Sequence, residues 1–132
     1  YAMRPKLLLL FNHHITNEQR KDAAASLAVS SIVEPPEPIR DVWKRIPPEL
    51  PAIEDHLAPV ISWISRQAGA GDYLLVQGDF GATYLMVRFA FENGLLPIYS
   101  TTERIVAEEK QADGAVQLMH TFKHCRFRRY GE

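Results

Sequence analysis

A single cysteine, Cys125, occurs in 132 residues, so the chain can form no internal disulfide and no zinc site built on a cysteine cluster. That usage suits a reducing compartment. An excess of charge of either sign is equally missing: 15 Lys and Arg face 16 Asp and Glu, a net charge of −1. A general nucleic-acid coat needs a basic surface, so duplex DNA is not expected as a partner and only a local anion site stays open. Long apolar runs are absent too. No stretch approaches the roughly 18 residues of a membrane span, and Leu7 to Leu10 is too short for the core of a signal peptide. A soluble, cytoplasmic protein without a membrane partner is expected. What is present is an ordinary globular balance, 46% apolar and 23% charged, on a length that supports one core. A single domain over residues 3–130 follows.

The order of patterns predicts an α/β chain. Residues 6–11 form a continuous apolar run that empties into Asn12-His13-His14, the mark of a strand buried on both faces. Thr16 with Gln19 makes a capping box, opening a helix that continues to Leu27. Residues 31–33 are the next strand, followed by a stiff proline-rich loop over 34–38. A short helix over 39–45 stops at Pro47-Pro48. Ile53, Leu57, Val60, Ile61 and Ile64 recur at helical spacing, with Pro59 either kinking that helix or marking where its regular part starts. Residues 73–77 are a second buried strand, and residues 82–93 a nearly all-round apolar helix closed by Gly94. That helix needs a cover, in part from a partner subunit. Residues 96–99 are a third parallel strand, ending in Ser100-Thr101-Thr102. Residues 104–111 and 115–122 read as a hairpin across Asp113-Gly114. Together these predict an open, Rossmann-like parallel sheet flanked by helices with a C-terminal β-hairpin.

In such sheets ligands sit outside the carboxyl ends of the strands, where three segments should meet. Asn12, His13 and His14 follow the first strand, and a histidine there can donate to phosphate or move a proton; packing or helix capping is the plain alternative, stronger for His14. Gly78, Asp79, Phe80, Gly81 and Thr83 surround a helix start whose N–H groups can face an anion. No Walker lysine and no dinucleotide fingerprint is present. Asp79 would repel a phosphate but could bind or deprotonate a ribose hydroxyl, and capping the helix is its competing role. Thr101, Thr102 and Arg104 offer hydroxyls and a cation, or simply a polar connection. In the tail, Lys123, Arg126 and Arg128 alternate with Phe127 and Tyr130, a pattern that serves phosphates and bases or a charged edge strand. His120 and His124 stand four apart with no supporting carboxylate or cysteine set, so no metal is expected. Cys125 is expected as a buried thiol.

Four blocks in order, residues 9–13 with Thr16, residues 76–84, residues 97–104 and residues 122–130, resemble a small family of type III CRISPR-associated accessory proteins of the ring nuclease group. The likeness spans nearly the whole chain. It implies a CARF-like fold, a homodimer and binding of cyclic oligoadenylate, chiefly cyclic tetra-adenylate, at the dimer interface. It further implies metal-independent cleavage by ribose 2′-hydroxyl attack on the adjacent phosphate, ending antiviral signalling, without a cofactor. In this reading His13 and Asp79 are catalytic. Asn12, His14, Gly78, Phe80, Gly81, Thr83, Thr101, Thr102, Arg104, Lys123, Arg126 and Arg128 hold the ligand. A non-catalytic sponge or sensor with the same fold is the alternative, and a mononucleotide- or RNA-binding α/β domain a third reading.

Overall fold

The computed structural model describes residues 4–132. Strands β1 (Lys6–Leu10), β2 (Ser31–Val33), β3 (Tyr73–Val76), β4 (Leu96–Lys110) and β5 (Val116–Arg129) form one five-stranded sheet in the order β2-β1-β3-β4-β5. The first four run parallel and β5 returns antiparallel along β4.

Helices lie on both faces because Leu7 to Leu10 of β1 and every residue of β3 are buried hydrophobics. Alternate side chains of a strand point to opposite faces. Leu8 and Leu10 join Leu74 and Val76 under helices α2 (Glu37–Lys44), α3 (Ala58–Gln67) and α4 (Phe80–Glu92), around the buried Trp43 and Met86. Leu7 and Leu9 join Leu75, Ile98 and Phe127 under α1 (Asn17–Ser26), which contributes Ala23. Each leucine so buried stabilises the fold by about 1.5–3 kcal/mol.

Local chemistry sets the boundaries. Both bonds of the Thr16–Gln19 capping box are made, at 3.1 and 2.9 Å, and α1 starts there. In α3, Pro59 falls in the first turn, where its missing N–H costs nothing, so it marks the start of the regular helix. The proline-rich stretch is shorter than the sequence suggests, since α2 already begins at Glu37 with Pro38 in its first turn. Gly94, at φ +72°, follows the last turn of α4.

The C-terminal region departs most from expectation. Ser100 to Thr102 do not end the third strand; β4 continues unbroken for 15 residues. The expected hairpin across Asp113-Gly114 is present, but its first strand is the far half of β4 and its second strand runs on into the basic tail as one strand, β5. No glycine or proline interrupts residues 98–113, and Thr101, Thr102, Ile105 and Val106 favour extended backbone. The outer halves of β4 and β5 therefore project past the parallel strands as a two-stranded arm. Among the described residues no helix is long and apolar enough to cross a membrane.

Candidate functional site

The strand order reverses at β1, with its successor β2 on one side and β3 on the other. This opens the crevice beyond the carboxyl ends of β1 and β3 where open α/β sheets take ligands. Gln77 ties its floor together. Its N–H donates to Leu10 O at 2.8 Å, its carbonyl accepts from Trp43 Nε1 at 3.1 Å, and its Oε1 accepts from Ser100 N at 2.8 Å. The ends of β1 and β3 and the inner part of β4 are thus joined through one residue.

Around this floor the sequence-predicted residues differ in what they can do. Asn12, His13 and His14 are all exposed. The His13 ring stands edge-on to Phe11, 6.4 Å between centroids, while His14 Nδ1 lies 3.3 Å from Arg40 Nη1. Asp79 caps α4, its Oδ2 accepting from Ala82 N at 3.0 Å. Phe80 is 95% exposed at the helix start. Gly81 is exposed beside it in the first turn, whereas Thr83 Oγ1 is buried with no hydrogen-bond partner. Gly78 packs against Trp43, and a Cβ there would lie 2.9 Å from the indole nitrogen.

A second group gathers where α1 meets the root of the arm. Thr101 Oγ1 donates to Arg126 O at 3.0 Å and accepts from Arg126 N at 3.2 Å. Immediately beyond, the register shifts: Thr101 pairs with Arg126 but Thr102 with His124, leaving Cys125 as the extra residue of a bulge. Cys125 is consequently exposed and not the buried thiol expected. Residues three apart on a regular strand face opposite ways. The extra residue brings His124 and Phe127 onto the same face, their rings 4.6 Å apart, and turns His124 toward α1.

There His124 is held at both nitrogens, with a side chain 6% exposed. Nε2 lies 2.7 Å from Asp22 Oδ2 and Nδ1 lies 2.5 Å from Ser100 Oγ. Ser100 Oγ also accepts from Gln19 Nε2 at 3.3 Å, and Ser26 donates to the other Asp22 oxygen at 2.5 Å. Burial alone would raise the Asp22 carboxyl. Hydrogen bonds from Ser26 and His124 and the charges of His124 and Arg126 outweigh it and hold the group below the usual carboxylate range. With Asp22 ionised, Nε2 carries a proton toward its carboxylate in the charged and the neutral ring alike, and in the neutral ring Nδ1 accepts from the Ser100 hydroxyl.

An open pocket of about 450 Å³ lies against this chain, lined by Thr16, Gln19, Thr102, Phe122, Lys123 and His124 among others. Phe122 is 70% exposed. Arg104 turns away from it to donate to His120 Nδ1 at 2.8 Å, and Arg128 lies on the Tyr99 ring at 5.7 Å with Nη1 donating to its hydroxyl at 3.2 Å. The sequence does not single out Asp22, and it marks Gln19 only as half of a capping box and Ser100 only as a hydroxyl at a strand end. They are 22, 19 and 100 in the chain with no shared motif, and only the bulge brings His124 to them.

The model of the Uncharacterized protein MJ1673 family matches residues 5–128. Uncharacterized protein MJ1673 of Methanocaldococcus jannaschii is 44% identical over 126 residues, covering 96% of this chain and 97% of that protein. No solved structure matches the chain. With nearly the full length matched in both comparisons, the chain belongs to the MJ1673 family.

Proposed function

We propose that the protein binds cyclic tetra-adenylate as a homodimer and opens the ring, acting as a metal-independent ring nuclease on a Rossmann-like, CARF-like fold. The observation that carries this reading is the crowding of unlike ligand-binding groups at one sheet edge. The exposed Asn12-His13-His14 segment, the Gly78–Phe80 turn with its uncovered phenyl ring, and the Thr102–Lys123–Phe122 pocket are linked through Gln77 and Ser100. A cyclic oligonucleotide presents phosphates, ribose hydroxyls and adenine faces in close repetition. Lysine and backbone N–H groups suit the phosphates, and aromatic rings the bases.

Opening the ring requires the 2′-oxygen to bond to phosphorus as the bond from phosphorus to O5′ breaks. One proton leaves the 2′-hydroxyl and another reaches O5′. His13, an exposed imidazole at the end of β1, supplies the proton to O5′. Lys123 meets the charge that builds on the phosphate.

Incubation of the pure protein with cyclic tetra-adenylate and EDTA, followed by chromatography, tests the reading. Linear products in molar excess over protein are expected. His13→Ala should slow single-turnover cleavage at least about 100-fold while leaving affinity within roughly tenfold. A ring bound tightly but left intact would make the protein a sponge or sensor, and absence of binding would overturn the proposal.

A further inference from the structure

We infer that Ser100, His124 and Asp22 form a proton relay that takes the proton from the ligand's 2′-hydroxyl, with Ser100 Oγ as the atom that touches the ligand. The inference rests on the ring-cleavage reading and names the base that reading lacks.

The three groups are spaced for stepwise transfer, 2.5 Å from Ser100 Oγ to His124 Nδ1 and 2.7 Å from His124 Nε2 to Asp22 Oδ2. Gln19 Nε2, donating to Ser100 Oγ, keeps the hydroxyl proton aimed at the imidazole and not back along α1. Gln19, Thr102 and His124 line the pocket, and Ser100 lies behind that wall with its Oγ hydrogen-bonded to both Gln19 and His124. Ser100 is 8% exposed, enough to place the transfer out of bulk water.

As the 2′-oxygen attacks phosphorus, its proton passes to Ser100 Oγ while the Ser100 proton passes to His124 Nδ1. The imidazolium formed donates through Nε2 to the Asp22 carboxylate, and the P–O5′ bond breaks with a proton delivered to O5′ by His13. No group is oxidised or reduced. Solvent returns both histidines to their starting states after the linear product leaves. The arrangement of nucleophile-side hydroxyl, base and orienting carboxylate is the general logic of the Ser-His-Asp triad, here applied to a proton and not to covalent attack.

A relay that must start neutral gives the cleavage rate an acidic limb belonging to an imidazole. The charged groups around His124 are Asp22 on α1, Arg126 and Lys123 on β5, and Glu18 on the pocket rim. All remain in place in the variants that replace His124 or Ser100. Single-turnover cleavage of cyclic tetra-adenylate is measured across pH for wild type, Ser100→Ala, His124→Gln and Asp22→Asn, with calorimetric affinity and thermal unfolding of each. A fall of about 100-fold or more in Ser100→Ala and His124→Gln, with the acidic limb lost, is expected. Affinity should stay within roughly tenfold. Ser100→Ala removes one oxygen and keeps the variant set interpretable if His124→Gln does not fold. Wild-type rate and limb in a folded Ser100→Ala protein would overturn the relay and leave ring cleavage standing. A wild-type protein that does not cleave the ring overturns both.

Discussion

Gly78 is a glycine because of its neighbour and not because of its own backbone, since it is absent from the positive-φ glycines and the indole of Trp43 occupies the space a Cβ would need. Trp43 is 2% exposed and its Nε1 is committed to Gln77 O, so it has little freedom to retreat. Gly78→Ala should therefore destabilise the protein by about 1–3 kcal/mol through overpacking. Denaturant unfolding measures it, and an unchanged midpoint would mean that Trp43 yields. Sequence reading placed this glycine beside an anion because a glycine after a buried strand carries that association. The packing against a tryptophan 35 positions earlier had no local signature. The same limit applies to Asp22, whose role is set by a histidine 102 residues away. Adjacent polar residues at a strand end, such as Asn12 and His13, were legible because one buried strand fixes where they emerge.

At the scale of elements, signals contained within a few residues were read well. The capping box of α1, the proline in the first turn of α3 and the glycine after α4 each act through one turn of backbone. The hairpin across Asp113-Gly114 was legible, but the continuity of its strands with the third sheet strand and the basic tail was not, because polar residues at a strand end and polar residues along a solvated strand look alike until the partner strand is known. Asp79 stands between the two cases. Its Oδ2 satisfies the N–H of Ala82, one of the donors a helix start leaves open. Asp79→Ala should cost about 0.5–2 kcal/mol, whereas Asp79→Asn, an equally good cap, should leave stability nearly unchanged. Thermal unfolding of the pair distinguishes them. Cleavage retained by Asp79→Asn would confine the residue to capping, and cleavage lost with stability intact would give its charge a part in ring opening.

At the scale of the whole molecule, two apolar surfaces are left uncovered, and charge decides between them as a self-association face. The arm exposes Val106, Val116, Leu118 and Phe122, but the same strand β5 carries Lys123, Arg126, Arg128 and Arg129 at the arm's root, along the sheet edge, with no acidic residue over its length. Pairing two such edges would bring like charges together, the device by which edge strands resist self-pairing. Helix α4 has no such guard. Phe80, Tyr84 and Phe91 are 95%, 64% and 57% exposed, and their spacing, with Val87 between them, places them on one face of the helix. The cations near that stripe do not oppose it: Arg88 lies on the Tyr84 ring at 5.7 Å and 3.8 Å from Glu92. A two-fold contact buries the same stripe on both copies, and an exposed aromatic row of this length is rare on a monomer. Light scattering at micromolar concentration should give twice the chain mass of 15.0 kDa. Phe91→Glu, at the end of α4 remote from the Gly78 turn, should return the mass to that of one chain by setting carboxylates against each other across the contact. A wild-type mass of one chain, unchanged by cyclic tetra-adenylate, would remove the homodimer and leave the aromatic stripe for a different protein.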